Sequence, residues 1–446
     1  MPQPGTISSA DENAQLTQNT DSDASGDGVM QHTPKPANDA PQPTNDASPP
    51  SQTITTVPNS QQPQSPTQPS EPVGWAADAP LPSTVEELFT EAEATAEVMA
   101  KRFADLPDAS ELLARVYWVS GKPIKAESIW KNVLEVHPKY PYALHGLGQV
   151  AAKKGDLKSA AEYHWQAYQA LPSYVDAAVE ASTAWIKTGE LQRATELLEK
   201  ITSAYAKTAL GWIRLGQAYT ASRDFPKAEE AFSKALALSP NDVEAVYGFA
   251  LAAARNGNRE EAKQAKERHA VLRAADRQAT LEERKTTDDL RNQMREVAAK
   301  YTSIGQMYFA TKQYGVAEEI WNRASRLDPL NCDVREKLAG LHMGFQDAQS
   351  ALAVCRELAD LKPENTQYQL NLAMMLDRSG KQAEAIRLFE QVAKSTPSGQ
   401  VYAMLADIHY RSGNAVDAKK SIEQAIEIEP DNAQWKNLRD SFTAPQ

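Results

Sequence analysis

From residue 107 onward, apolar residues recur three and four positions apart in short segments separated by polar stretches. That spacing predicts amphipathic helices, not strands. The pattern also repeats at long range. Prolines stand at Pro138, Pro172, Pro240, Pro329, Pro363, Pro397 and Pro430, separated by 34, 68, 89, 34, 34 and 33 residues. Glycines form an offset series, Gly121, Gly155, Gly189, Gly257, Gly380 and Gly413, at intervals of 34, 34, 68, 123 and 33. Two punctuation marks on one 34-residue period define a repeated helix hairpin. Glycine follows the first helix, where the chain turns through a left-handed conformation, and proline follows the second, which it cannot continue. Small residues recur where the two helices must approach (Ala114 with Ala126, Gly148 with Ala160, Gly216 with Ala228, Gly305 with Ala317). Large ones recur where the next helix leaves a space: Tyr117, Trp130, Trp185, Tyr219, Phe232, Tyr308, Trp321 and Phe389. Such a hairpin buries its second face only against a neighbour, which predicts an all-α solenoid.

Nine units are expected, beginning near Pro107, Pro141, Val175, Ala209, Val243, Ala298, Cys332, Thr366 and Gly399. The fourth is the sharpest, with Trp212, Leu215, Gly216, Tyr219, Ala228, Phe232, Ala235 and Pro240. This unit resembles the tetratricopeptide repeat family at each signature position. The resemblance covers residues 107–430 and implies a right-handed superhelix whose first helices line a concave groove. It also implies a protein-interaction scaffold and leaves the partner open. Two units lack the closing proline, with Ala206 and Ala274 in its place.

The ends and one break complete the organisation. Residues 82–106 read as an N-terminal capping helix, with Ser83 and Glu86 at capping-box spacing. Its stripe of Leu88, Ala92, Thr95, Met99, Ala100 and Phe103 can cover the first hairpin. Residues 431–446, with Trp435 and Leu438, read as a C-terminal cap. Between a block of five repeats (107–276) and one of four (298–430) lies a charged helical insertion, 277–297. Thr286, Thr287, Asp288 and Asp289 look like a cap opening a second arm, so the two arms are expected to protrude as a helix hairpin.

Composition changes the picture at the N-terminus. Residues 1–81 carry nine acids and one base, a charge of −8 out of −12 for the chain, and 15 of the 27 prolines lie in 1–82. With only seven Leu, Ile, Val or Phe, this acidic Pro/Ser/Thr/Gln-rich tail is expected to be disordered. The remaining array is nearly neutral, which excludes a general nucleic-acid binder. No stretch has the roughly 18 apolar residues of a membrane span. No secretory signal opens the sequence, so a cytoplasmic location is expected, or a periplasmic one if the true start lies upstream.

Catalytic chemistry is not legible. No Gly-rich phosphate loop, nucleophile elbow or zincin helix occurs. His342 and His409 occupy core positions of the repeat, and Cys355 takes a large-residue core slot while Cys332 starts a helix. No enzyme activity, cofactor or metal site is expected. The inward positions of the first helices instead offer Tyr142, His145, Gln149, Lys153, Ile186, Ile213, Arg214, Gln217 and Tyr247, a mixture suited to a peptide. Two specialised family grooves are disfavoured. Glu111 and Arg115 stand in the first-unit slots of a carboxylate clamp that uses Lys, Asn and Arg over three units, no later triplet restores the set, and Asn371 alone represents an asparagine ladder. The sequence therefore predicts a non-enzymatic scaffold binding a protein or peptide partner, with self-association possible. A regulatory or substrate-presenting subunit of a separate enzyme, and an envelope assembly factor, are the alternatives.

Overall fold

A computed structural model of the chain describes residues 79–286 and 289–442, with the side chains of 279–286 left aside. The acidic tail expected over 1–81 therefore lies outside the described residues, save its last three. Those three are held. Arg323 donates to the carbonyls of Ala79 and Pro80, both at 2.8 Å, and Leu81 packs against a buried core.

Among the described residues all regular structure is helical. After α1 (Val85–Arg102) come five hairpins. They are α2 (Pro107–Val119) with α3 (Pro123–Val136), α4 (Pro141–Lys153) with α5 (Leu157–Ala170), and α6 (Val175–Thr188) with α7 (Leu191–Ala204). Next are α8 (Ala209–Ala221) with α9 (Phe225–Leu238), and α10 (Val243–Asn256) with α11 (Arg259–Thr286). Four more follow: α12 (Asp289–Ala310) with α13 (Tyr314–Leu327), α14 (Cys332–Gly344) with α15 (Ala348–Leu361), α16 (Thr366–Arg378) with α17 (Gln382–Ser395), and α18 (Gly399–Arg411) with α19 (Ala415–Ile428). The last helix is α20 (Ala433–Ser441). The described residues form a helix-hairpin solenoid of nine units with a helix at either end.

The turn chemistry explains the regularity and its gaps. Each glycine of the offset series holds a left-handed backbone, from φ +73° at Gly121 to +95° at Gly257. Where the series skips, Arg223, Lys312 and Gln346 adopt the same conformation at φ 64°, 63° and 59°. The turn is dictated by the hairpin and imposed on residues that resist it. Proline's absence acts in the opposite direction. Ala274 leaves α11 free to run on for 28 residues, about 42 Å at 1.5 Å per residue.

Glycines inside helices serve the ring side chains. A Cβ on Gly146 would lie 2.3 Å from the Trp130 ring, and one on Gly148 would lie 2.5 Å from the His164 ring. Phe232 is clasped between Gly216 and Gly248, and Trp321 lies against Gly305. Each missing side chain is the space that a large neighbour fills.

The two blocks meet where the sequence did not place them. The cap of α1 is Thr84, whose hydroxyl accepts from the Glu87 amide at 3.1 Å. The Glu87 carboxylate accepts in return from Ser83. The capping box is thus one residue later than Ser83 and Glu86 suggest. α1 buries Leu88, Ala92, Ala96 and Met99 in one core with Ala109 and Leu112 of α2, and Val297, Ala298, Tyr301 and Ile304 of α12. The long α12 therefore does not project beside α11 as the second arm of a hairpin. Its neighbours are α13, α1 and α2. Leu290 and Val297, inside the charged insertion, are buried, and their apolar burial offsets any gain from leaving the arm in solvent. Polar contacts fix the register: the Tyr301 hydroxyl donates to Glu91 at 3.1 Å, as does Arg323 Nε at 3.0 Å. Arg323, on α13, is only 2% exposed. At the far end, Trp435, Leu438 and Phe442 close the last hairpin, with the Phe442 ring stacked on Tyr410 at 4.5 Å.

Candidate functional site

The inner face of the first block is carried by α4, α6, α8 and α10. Residues at i, i+4, i+7 and i+11 of these helices form one stripe. Its first register, Tyr142, Asp176, Leu210 and Glu244, is exposed in every unit. The next one along the helix circumference, His145, Val179 and Ile213, faces the seam between successive inner helices. Val179 and Ile213 are each 2% exposed. Ile213 is thus a core residue and no groove residue, because periodicity alone does not separate adjacent registers of one helix. Tyr247 shares that register yet is 56% exposed, since no following inner helix covers it. Its ring lies 5.1 Å from His269 on α11.

The other expected groove residues divide in two. Arg214 and Gln217 are engaged with a neighbour. Both donate to Glu244 Oε1, at 2.8 and 2.6 Å. Ile186 is half-buried against the core, and Lys153 places its ammonium 4.9 Å from the Trp118 ring. Tyr142, His145 and Gln149 come together in a cleft of about 250 Å³. Its walls include Arg115 and Glu111 of α2, Tyr174, and Glu296 and Lys300 of α12, with Trp130 at its floor. The helix that joins the blocks therefore closes one end of the concave face.

Burial governs the electrostatics of this cleft. Desolvation raises the Glu111 carboxyl to about 7; Arg115 is its nearest cation, at 3.7 Å. Burial depresses His145 to about 4 and His164 to about 3. Both imidazoles are neutral at pH 7, and their hydrogen bonds assign the tautomers. The Gln149 amide nitrogen donates to His145 Nε2 at 3.1 Å. His145 then carries its proton on Nδ1 and donates to His164 Nδ1, also at 3.1 Å. The Tyr174 ring packs 5.0 Å from His145 and 5.3 Å from Tyr142. Lys300 is lowered, first by burial and then by the charge of Arg115.

Lys300 and Glu296 have no signal in the sequence as site residues, because the docking of α12 is non-local. Tyr174 precedes its helix and is equally silent. His342 and His409 are buried in the core, and the Cys355 thiol is pushed up to about 11 by burial. Both cysteines are free thiols. No group of three or more metal-ligating side chains occurs among the described residues, and no described helix is long and apolar enough to cross a membrane.

Sequence profiles of the tetratricopeptide repeat match residues 111–175, 209–242, 337–400 and 378–441, in both blocks. The chain contains tetratricopeptide repeats. Protein O-mannosyl-transferase TMTC1 of Homo sapiens is 25% identical over 129 residues, covering 29% of this chain and 14% of that protein. The mitochondrial import receptor subunit TOM70 of Homo sapiens is 28% identical over 137 residues, covering 29% of this chain and 22% of that protein. The matches thus span less than a quarter of either relative. A solved structure of MamA, residue 41 to the end, from Desulfovibrio magneticus RS-1 is 20% identical with a TM-score of 0.34, covering 39% of this repeat protein and 96% of that chain.

Proposed function

We propose that this repeat protein is a non-enzymatic scaffold that holds a protein partner along the concave face of its first block. The observation that carries the reading is the exposure of large apolar side chains on that face. Tyr142 and Leu251 keep 37% and 36% of their surface in solvent, and Leu210 keeps 40%. All three lie on first helices, interleaved with Lys153, Glu180 and Arg255, where an extended or helical peptide would find both apolar and charged partners. The repeat profiles support the binding of a protein partner. Replacing Tyr142 and Leu251 with Glu should abolish partner retention in a pull-down while circular dichroism stays unchanged. Full retention by the double variant would remove this face as the site.

A further inference from the structure

The cleft at the block junction holds two cations in loose ion pairs and one buried donor without a hydrogen-bond partner. Arg115 reaches Glu111 only at 3.7 Å and Lys300 reaches Glu296 only at 3.6 Å, both beyond hydrogen-bonding distance. Trp130 is 1% exposed, lines the cleft, and its Nε1–H has no partner. A buried donor left unmade is costly, on the order of 1–3 kcal/mol, and the indole that carries it lies at the wall of the cleft, where it can report on what enters. The space, about 250 Å³, fits one side chain better than a whole small-molecule ligand.

We propose that this cleft is a composite pocket for an acidic side chain of a bound peptide, gripped by Arg115 from the first block and Lys300 from the second. The proposal rests on the reading of the concave face as a binding surface and names the chemistry at one end of it. Three carboxylates stand near the two cations. Asp108 is occupied by the Tyr140 hydroxyl at 2.6 Å, and Glu296 is largely exposed beside Lys300. His145 is neutral, and Tyr142 and Tyr174 present hydroxyl-bearing rings. Glu111, with its carboxyl at about 7, is the remaining acid, and in its protonated form it can share its proton with the incoming carboxylate. Because one cation comes from each block, occupancy also ties α12 to α2 and α4.

The test uses the full chain and the indole N–H signal of Trp130, assigned by its loss in Trp130→Phe. The probe is the blocked peptide acetyl-Ala-Glu-Ala-amide, with acetyl-Ala-Gln-Ala-amide as the neutral control and acetyl-Ala-Ala-Ala bearing a free chain end. The Glu peptide should shift the signal saturably and the Gln peptide should not. Lys300→Gln and Arg115→Gln should each weaken the Glu peptide about tenfold, with unchanged circular dichroism. Binding should strengthen as pH falls from about 8 to about 6, as Glu111 takes up its proton. Equal shifts by the Gln peptide, a response to the free-ended peptide alone, or wild-type affinity in both variants would overturn the pocket. If partners depend on Tyr142 and Leu251 while the Glu peptide is silent, the scaffold reading stands and the pocket falls. If the peptide binds and partners ignore those residues, the reverse holds.

Discussion

The two blocks share one repeat and present different chemistry on their inner faces. In the second block a cleft of about 450 Å³ is lined by Met374, Phe389, Met404, Trp435 and Leu438. Of its two arginines, Arg411 is paired, donating to Asp377 at 2.6 Å and to Asp407 at 2.9 Å, and Arg378 also lines the cleft. Beside these charges the cleft offers a flexible, methionine-lined apolar surface. In the first block the apolar stripe is interrupted by a polar cleft, and its second cation arrives from α12, a helix of the other block. The hairpin period sets where side chains stand, and the chain's return at α12 decides which charges are left unmatched.

The contrast depends on the junction, so breaking the junction should have the largest effect. Glu91→Ala leaves Arg323 buried without its carboxylate and should cost about 3–5 kcal/mol in urea unfolding. Replacing both with Met should recover most of that loss, and no recovery would mean that the ion pair itself, not the penalty of an orphaned charge, carries the stability. Next in size is the division between seam and groove. Ile213→Glu buries an unpaired charge and should cost several kcal/mol, whereas Tyr142→Glu should stay within about 0.5 kcal/mol in the same assay. Equal costs would mean that the two registers are not separate surfaces. Gly148→Ala, whose Cβ would lie 2.5 Å from the His164 ring, should lower stability by about 1–3 kcal/mol. That loss should fall on the first block, leaving hydrogen exchange in the second unchanged.

The pH response sharpens the comparison further, since its main groups lie in the first-block cleft. Glu111 sits at about 7 when folded against an ordinary value of 4.5, so the folded state holds its proton more tightly. Its contribution is present below about 4.5 and is lost as pH rises to about 7. His145 and His164 are depressed from 6.5, so their contribution is present above 6.5 and is lost as pH falls toward their folded values of about 4 and 3. The opposing signs place the stability maximum near about pH 6.5. Glu111→Gln should abolish the decline between that maximum and about pH 7, an effect of less than about 1 kcal/mol over that interval, read from melting curves. A variant that still declines would assign the slope to other acids. The smallest expected effect lies in the second block, where Lys312→Gly relieves a left-handed residue and should stabilise by about 0.5–1 kcal/mol in thermal unfolding.

The hairpins were legible because their ends are written in residues with one physical use. Gly189 and Gly257 are needed for a backbone that other residues resist, and Pro240 and Pro363 stop helices by chemistry alone. The capping box was displaced by one residue because Ser83 and Thr84 are chemically equivalent caps, and only backbone geometry chooses between them. The site was less legible for two reasons. Ile213 and Arg214 are neighbours on one helix, and the angle between groove and seam is smaller than periodicity resolves. Lys300 belongs to a segment that reads as solvated charge, and nothing local to it announces that Tyr301 and Ile304 will be buried against α1. The same holds for Ala79 and Pro80, whose composition reads as tail and whose carbonyls are claimed by an arginine of the sixth hairpin.

The pairing of α1 with α13 bears on the order of assembly. Glu91 and Arg323 are 232 positions apart, so this contact closes a loop that spans the entire first block. Local hairpins form quickly and loop closure over such a separation is slow, which makes the junction a late event in folding. Until it forms, Leu88, Ala92 and Met99 remain without their α12 partners. A nascent chain thus carries a sticky apolar face at its beginning until the sixth hairpin has been synthesised. A chaperone that recognises unfinished proteins would have its longest opportunity there.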